Sequence, residues 1–138
     1  MPAVPKIALA IVLSALVCAP AASASKASDM AAMQRAVTDF KSSLRHNDGE
    51  RACSRMTLKV RKQLLAIIVA EIPGHAGAGC VRMMDLYGRD VYVEFKGPTK
   101  LRGMSAHHGN CVQWRDSDGT AHGVKQRGRW KLAGSGGC

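Results

Sequence analysis

Met30, Met33, Val37, Phe40 and Leu44 recur at spacings of three and four, so they line one stripe of a helix. Asp29 is placed to cap that helix, and Asn47-Asp48-Gly49 supplies turn chemistry to end it. A second helix is expected from Gly49. Its Ala52, Cys53 and Met56 would share one face, with Arg51, Arg55 and Lys59 in a row on the opposite one. Thr57 is suited to cap a third helix, because its hydroxyl accepts from an exposed amide of the first turn. The apolar side of that helix comprises Leu58, Val60, Leu64, Leu65, Ile67 and Ile68, and Pro73-Gly74 stops it. Gly74 to Gly79 reads as a flexible connection, after which Cys80 opens a short helix carrying Met83, Met84 and Tyr87.

Beyond Gly88 the period changes to two. Val91, Val93 and Phe95 alternate with Tyr92 and Glu94, which predicts a half-buried strand. Gly97-Pro98 turns the chain. A second extended region places Met104, Ala106, His108, Asn110, Val112 and Trp114 on one face, weakened by Gly103 and Gly109. Asp116-Ser117-Asp118-Gly119 and Gln126-Arg127-Gly128-Arg129 are hairpin signals. Trp130-Lys131-Leu132 forms a final strand before a flexible Gly/Ser tail, residues 134–138. Helices first and strands afterwards predict an α+β domain, with the helices on one face of an antiparallel sheet.

The N-terminus changes the picture of where this domain lives. Lys6, the apolar run Ile7–Val17 and the small residues Ala22-Ser23-Ala24 have the form of a secretory signal peptide, with cleavage expected after Ala24. The run is too short for a membrane span, which takes about 20 residues. The expected organisation is a signal peptide over 1–24, a polar leader over 25–29 and one domain over 30–133. Cys18 offers an alternative, a lipoprotein anchored through that cysteine, but bulky Val17 precedes it and the cleavage site downstream is the better one. Loss of Lys6 with the leader lowers the formal net charge from +10 to +9. That charge favours anionic surfaces as partners. Export, and aromatics too sparse for base stacking, argue against nucleic acid.

Four cysteines lie beyond the leader: Cys53, Cys80, Cys111 and Cys138. In a small exported domain an even count reads as disulfides, with three connectivities open. Arg51 and Arg55 beside Cys53 would lower its thiol pKa, as in reactive cysteines. No Cys-His-Asn pattern accompanies it, so Cys53 is read as structural.

The basic residues Arg51, Arg55, Lys59, Arg61 and Lys62 are the candidate surface for an anionic partner, against the simpler reading of a solvated helix face. His107, His108 and His122 could supply imidazole to a metal, but adjacent strand residues point to opposite faces and no third ligand is fixed. Neither a metal nor a cofactor is expected. Asp116–Gly119 lacks calcium-loop spacing and is read as a turn.

"Asp-Gly-x-x-Ala-Cys-Ser-x-Met-Thr" at Asp48–Thr57, Cys80 at the head of a helix and "Arg-Gly-Arg-Trp-Lys-Leu" at Arg127–Leu132 together resemble small secreted actinobacterial proteins of the nuclear-transport-factor-2-like superfamily. The resemblance covers roughly Met33 to Leu132. It implies a cone-like, cystatin-like roll in which a curved sheet wraps the helices. It also implies a Cys53–Cys80 bridge, which leaves Cys111 and Cys138 to pair. Enzymes of that superfamily, ketosteroid isomerases and polyketide cyclases, work with an acid and hydrogen-bond donors inside the cone. Asp85, Asp90, Tyr87 and Tyr92 are the candidates here, although ordinary polar and packing roles suffice for all of them. The expectation is a secreted, monomeric, non-catalytic accessory or ligand-binding module of the cell envelope or extracellular space. It would take a small apolar ligand in the cone or an anionic partner on the basic face. A small cone enzyme of the isomerase or cyclase type is the competing reading.

Overall fold

The computed structural model describes residues 21–94, 105–116 and 119–134. The helical half comprises α1 (Ala21–Arg45), α2 (Gly49–Ser54), α3 (Leu58–Glu71), a 3-10 turn at Pro73–His75 and α4 (Cys80–Glu94). The strands β1 (Ser105–His108), β2 (Cys111–Asp116), β3 (Gly119–Gln126) and β4 (Arg129–Gly134) follow. They form one antiparallel sheet in the order β1-β2-β3-β4, and the helices pack against it. The fold is therefore α+β.

The stripe on α1 forms as its spacing predicts: Met33, Ala36, Val37, Phe40 and Leu44 are buried. They meet Met56, Met83, Met84, Val112, Trp114, Trp130 and Leu132 in a single core. Close approach of α1 to the sheet depends on Gly123 in β3, where a Cβ would stand 2.3 Å from Met33 Sδ. The start of α1 differs from expectation. Residues 25–29 are already helical, and Asp29 lies inside the helix, 3.6 Å from Lys125 Nζ, rather than capping it.

At its other end α1 stops where Asn47 takes a positive φ of 52°. Asn47 Oδ1 then accepts from Arg89 N at 2.9 Å, and Arg89 Nε donates to Arg45 O at 3.0 Å, joining this turn to α4. Asp48 caps α2 by accepting from Arg51 N, and Thr57 caps α3 by accepting from Val60 N. Between the caps the chain runs alongside the sheet edge. Thr57 N donates to Leu132 O at 2.9 Å and Leu132 N to Arg55 O at 2.8 Å, so β4 is not left with an open edge. Cys53 and Cys80 are bridged, with Cα atoms 6.1 Å apart, which ties α2 to the first turn of α4.

Two predicted strands are corrected. Val91–Glu94 belong to α4, and Phe95 lies outside the described residues. Met83, Met84, Tyr87, Gly88 and Val91 continue a helical period through this segment, and four alternating residues are too few to overrule it. The extended region around Gly109 is a hairpin rather than one strand. Ala106 and His108 fall in β1 and Val112 and Trp114 in β2, with the turn at Gly109-Asn110 and Ala106 opposite Val112, while Met104 lies outside the described residues. The hairpin at Arg127-Gly128 forms as predicted, with both residues at positive φ (49° and 75°) and Gln126 paired with Arg129. Asp116 pairs with Gly119, and Ser117 and Asp118 of the other predicted hairpin turn lie outside the described residues.

Candidate ligand-binding groove

The apolar side of α3 is covered incompletely. Ile68 is buried and Val60, Leu64 and Leu65 are partly buried, but Ile67 and Leu58 are 59% and 65% exposed. The corresponding side of α4 does not close over α3. A groove of about 390 Å3 remains between them, walled by Leu64, Ile67, Ile68, Ile72, Tyr87 and Val91. Pockets of roughly 300–1,000 Å3 are the usual size for small-molecule sites. A recess of about 210 Å3 shares Leu64, Ile67 and Val91 with this groove and reaches Phe40, Met56 and Leu132. Apolar surface thus runs from the helix pair towards β4.

Tyr87 is held in place. Its hydroxyl shares a hydrogen bond of 2.8 Å with His75 Nε2, and the two rings meet edge-on at 5.4 Å. The Gly74–Gly79 connection, expected to be flexible, is anchored through His75 and begins with a 3-10 turn.

The rim carries the unusual charge. Glu71, Asp90 and Glu94 complete the lining. Four acids elsewhere are occupied, Asp39 by Arg51 and Arg55, Asp29 by Lys125, and Asp48 and Asp85 by the amides of Arg51 and Gly49, whereas Glu50 on α2 is exposed. Among the described residues, the three rim carboxylates have no hydrogen bond or ion pair. Asp90 and Glu94 stand one helical turn apart, where like charges repel by a few tenths of a kcal/mol. A chain with 20 basic and 10 acidic side chains thus gathers unpaired negative charge around its apolar groove.

The basic residues singled out in the sequence do not form one row. α2 ends at Ser54 and α3 begins at Leu58, so Lys59 is not in helical register with Arg51 and Arg55. Arg51 bonds Asp39 Oδ1, and Arg55 Nε donates to Oδ2 at 2.6 Å. Burial alone would raise the Asp39 pKa, but hydrogen bonds from Arg51 and Arg55, with their charge, outweigh it and hold Asp39 below the ordinary carboxylate value. Lys59 and Lys62 are exposed on α3. Arg61 is half-buried and lies near Lys131, whose pKa is lowered first by burial and then by Arg61, Arg127 and Arg129.

Cys111 is disulfide-bonded to a partner outside the described residues, where Cys18 and Cys138 also lie. His107 and His108 are in β1 and His122 is in β3, with β2 between them. Two strand spacings, roughly 10 Å, separate these backbones. His122 Nδ1 lies 3.2 Å from Gly134 O. Among the described residues, no group of three potential ligands is arranged to hold a metal.

Of the residues considered for acid–base chemistry, Tyr87 and Asp90 both line the groove, while Asp85 and Tyr92 are engaged elsewhere. Asp85 binds the Gly49 amide at 2.7 Å, Asp90 sits exposed on the groove rim, and Tyr87 bonds His75. Tyr92 lies under the Arg45 guanidinium, 5.6 Å from ring centre to Cζ. Sequence reasoning missed Asp39, Glu71, Glu94 and His75. Asp90 and Glu94 carried a usable signal, an i, i+4 acid pair, which the strand reading of Val91–Phe95 concealed.

Comparison with protein-family models, curated proteins and solved structures finds no match. Among the described residues, no helix is long and apolar enough to cross a membrane.

Proposed function

We propose that this is a secreted, non-catalytic binding module of the cell envelope or extracellular space, whose α3–α4 groove takes a small apolar ligand bearing a cationic group. One observation carries the reading: an apolar groove of about 390 Å3 rimmed by the unpaired carboxylates of Glu71, Asp90 and Glu94. The apolar walls supply affinity by removing hydrocarbon from water, at about 25 cal/mol per Å2. The rim supplies selectivity, because a cation there meets unpaired charge and an anion is repelled.

The form of the N-terminal leader supports export, and so does the Cys53–Cys80 bridge, since such bonds persist in oxidising compartments. Asp85 is engaged by the Gly49 amide, Asp90 is exposed on the rim and the Tyr87 hydroxyl is taken by His75, which favours binding over catalysis. Membership of the nuclear-transport-factor-2-like superfamily, with its curved, cone-like sheet, belongs to the same proposal. Its supports are the order of helices before an antiparallel meander and the position of the bridge. The ligand site is then a groove on the helical side rather than the mouth of the cone, since Phe40, Trp114 and Trp130 are buried in the core between helices and sheet.

A titration of the 15N-labelled, oxidised protein with octylammonium, followed by NMR, tests this function. Amide shifts should concentrate at Leu64, Ile67, Ile72, Tyr87 and Val91, and Ile67→Ser should weaken binding about tenfold without unfolding. Saturable shifts located elsewhere, or none at millimolar ligand, would reject it.

A further inference from the structure

The basic residues of α3 acquire neighbours from another part of the chain. Thr57 N donates to Leu132 O at 2.9 Å, which sets the first turn of α3 beside β4. A Cβ on Gly134 would stand 3.4 Å from Val60 Cγ2, so helix and strand stay in contact beyond that turn. In β4, Trp130 and Leu132 turn into the core while Arg129 and Lys131 lie on the opposite face. The β3–β4 turn adds Arg127, which is exposed. Arg61 of α3 thereby stands close to Arg127, Arg129 and Lys131, and the exposed Lys59 and Lys62 extend this patch along the helix.

Positive charge is crowded here without neutralisation. Burial lowers the Lys131 pKa first, and the charges of Arg61, Arg127 and Arg129 lower it further. Among the described residues none of these six cations has an ion pair, whereas Arg51, Arg55 and Lys125 do. Self-repulsion of this kind is unfavourable in the free protein and is relieved at a surface of opposite charge. Leu58 is 65% exposed and precedes Arg61 and Lys62 by three and four residues, so it shares their side of the helix. One exposed leucine is ordinary, but among cations it supplies the apolar element that a bilayer interface takes up and a soluble polyanion does not. α3 also separates its charges, since Glu71 lies at its far end, about 18 Å from Lys59.

We propose that the patch formed by Lys59, Arg61 and Lys62 of α3 with Arg127, Arg129 and Lys131 docks the protein on an anionic lipid bilayer, with Leu58 entering the headgroup region. Repulsion keeps Glu71, at the other end of α3, away from the lipid. The docking goes beyond the groove reading and does not depend on it. Of the five basic residues singled out in the sequence, Arg51 and Arg55 are spent on Asp39, and the remaining three gain partners from β4 and the turn before it.

Co-sedimentation of the oxidised protein with lipid vesicles at fixed ionic strength tests this. Vesicles containing phosphatidylglycerol should bind it far more tightly than vesicles of phosphatidylcholine alone. A cation held near an anionic bilayer raises affinity about fivefold. The exposed pair Lys62→Gln/Arg129→Gln should therefore weaken binding roughly twentyfold. Arg45→Gln/Arg82→Gln removes the same charge from α1 and α4 and should change binding by less than about threefold. Leu58→Ser should weaken it roughly fivefold, through lost apolar burial, while leaving far-UV circular dichroism unchanged. Soluble polyphosphate is the competing anion. If it binds as tightly as the vesicles, and Leu58→Ser leaves both affinities unaltered, the patch serves a charged polymer and the membrane proposal is overturned. Equal binding to the two lipids, or equal losses in the two double variants, also overturns it.

Discussion

Gly49→Ala sets two physical effects against each other. In a helix, alanine is favoured over glycine by about 0.8–1 kcal/mol. Here the added Cβ would stand 2.0 Å from Val81 O and 2.6 Å from Asp85 Oδ1. The first of these atoms is backbone, so α2 and α4 would have to separate by roughly an ångström. Overpacking of this kind costs about 1–3 kcal/mol. The same movement stretches the 2.7 Å bond from Gly49 N to the Asp85 carboxylate, and a bond to a charged acceptor is worth about 1.5–3 kcal/mol. The Cys53–Cys80 bridge lies close by and joins the same two helices, so they cannot part freely. Steric and hydrogen-bond losses exceed the gain in propensity, for a net loss of about 3 kcal/mol. Urea denaturation of the oxidised protein measures it, and Tm should fall by about 10 °C or more. Gly74→Ala is the matched control. No atom lies within 4 Å of its Cβ, so stability should be unchanged or rise by up to about 1 kcal/mol. A Gly49→Ala protein as stable as the parent would refute the α2–α4 crossing.

Three further outcomes are expected. Replacing both Cys53 and Cys80 by Ser opens a link with a sequence separation of 27, which on the chain-entropy model removes about 3.5 kcal/mol; urea midpoints equal to those of the parent would contradict the clamp. Thr57→Ala deletes the cap on α3 and should cost about 1 kcal/mol, read by the same denaturation, whereas Thr57→Ser should recover most of it. The Asp39 pKa is depressed in the folded protein, so its stabilisation is complete above the unfolded value, about 3.9, and disappears as pH falls through the lower folded value. Asp39→Asn should therefore lower the urea midpoint most at neutral pH and least below about pH 3. A parallel loss at every pH would show that the Arg51 and Arg55 contacts do not act through the ionised carboxylate.

Much of the fold could be read where local chemistry and tertiary packing agree. The α1 stripe, the Asp48 and Thr57 neighbourhoods and the Arg127-Gly128 turn depend on nearby residues, and each forms accordingly. Misreadings arose where a short pattern competed with its surroundings. Val91–Glu94 alternates in polarity, but the four residues continue a helix already under way from Cys80. Gly109 looked like a weakness in one strand because pairing of Ala106 with Val112 is not a property of either residue alone. Site residues were harder to recognise for the same reason. Arg51 and Arg55 read as free surface charge because Asp39, their partner, lies on another helix. Glu71 becomes a neighbour of Asp90 and Glu94 only when α3 and α4 come together.

Selectivity for head-group charge at the α3–α4 groove is the sharpest test of the proposed function. Calorimetric titration of octylammonium, octanol and octanoate into the oxidised protein compares ligands with one hydrocarbon chain and different charge. Octylammonium should bind most tightly, octanol about tenfold more weakly and octanoate least. The triple substitution Glu71→Gln/Asp90→Asn/Glu94→Gln should bring the three affinities together. Equal binding of all three by the parent protein, or a preference for octanoate, would contradict a cation-selective groove.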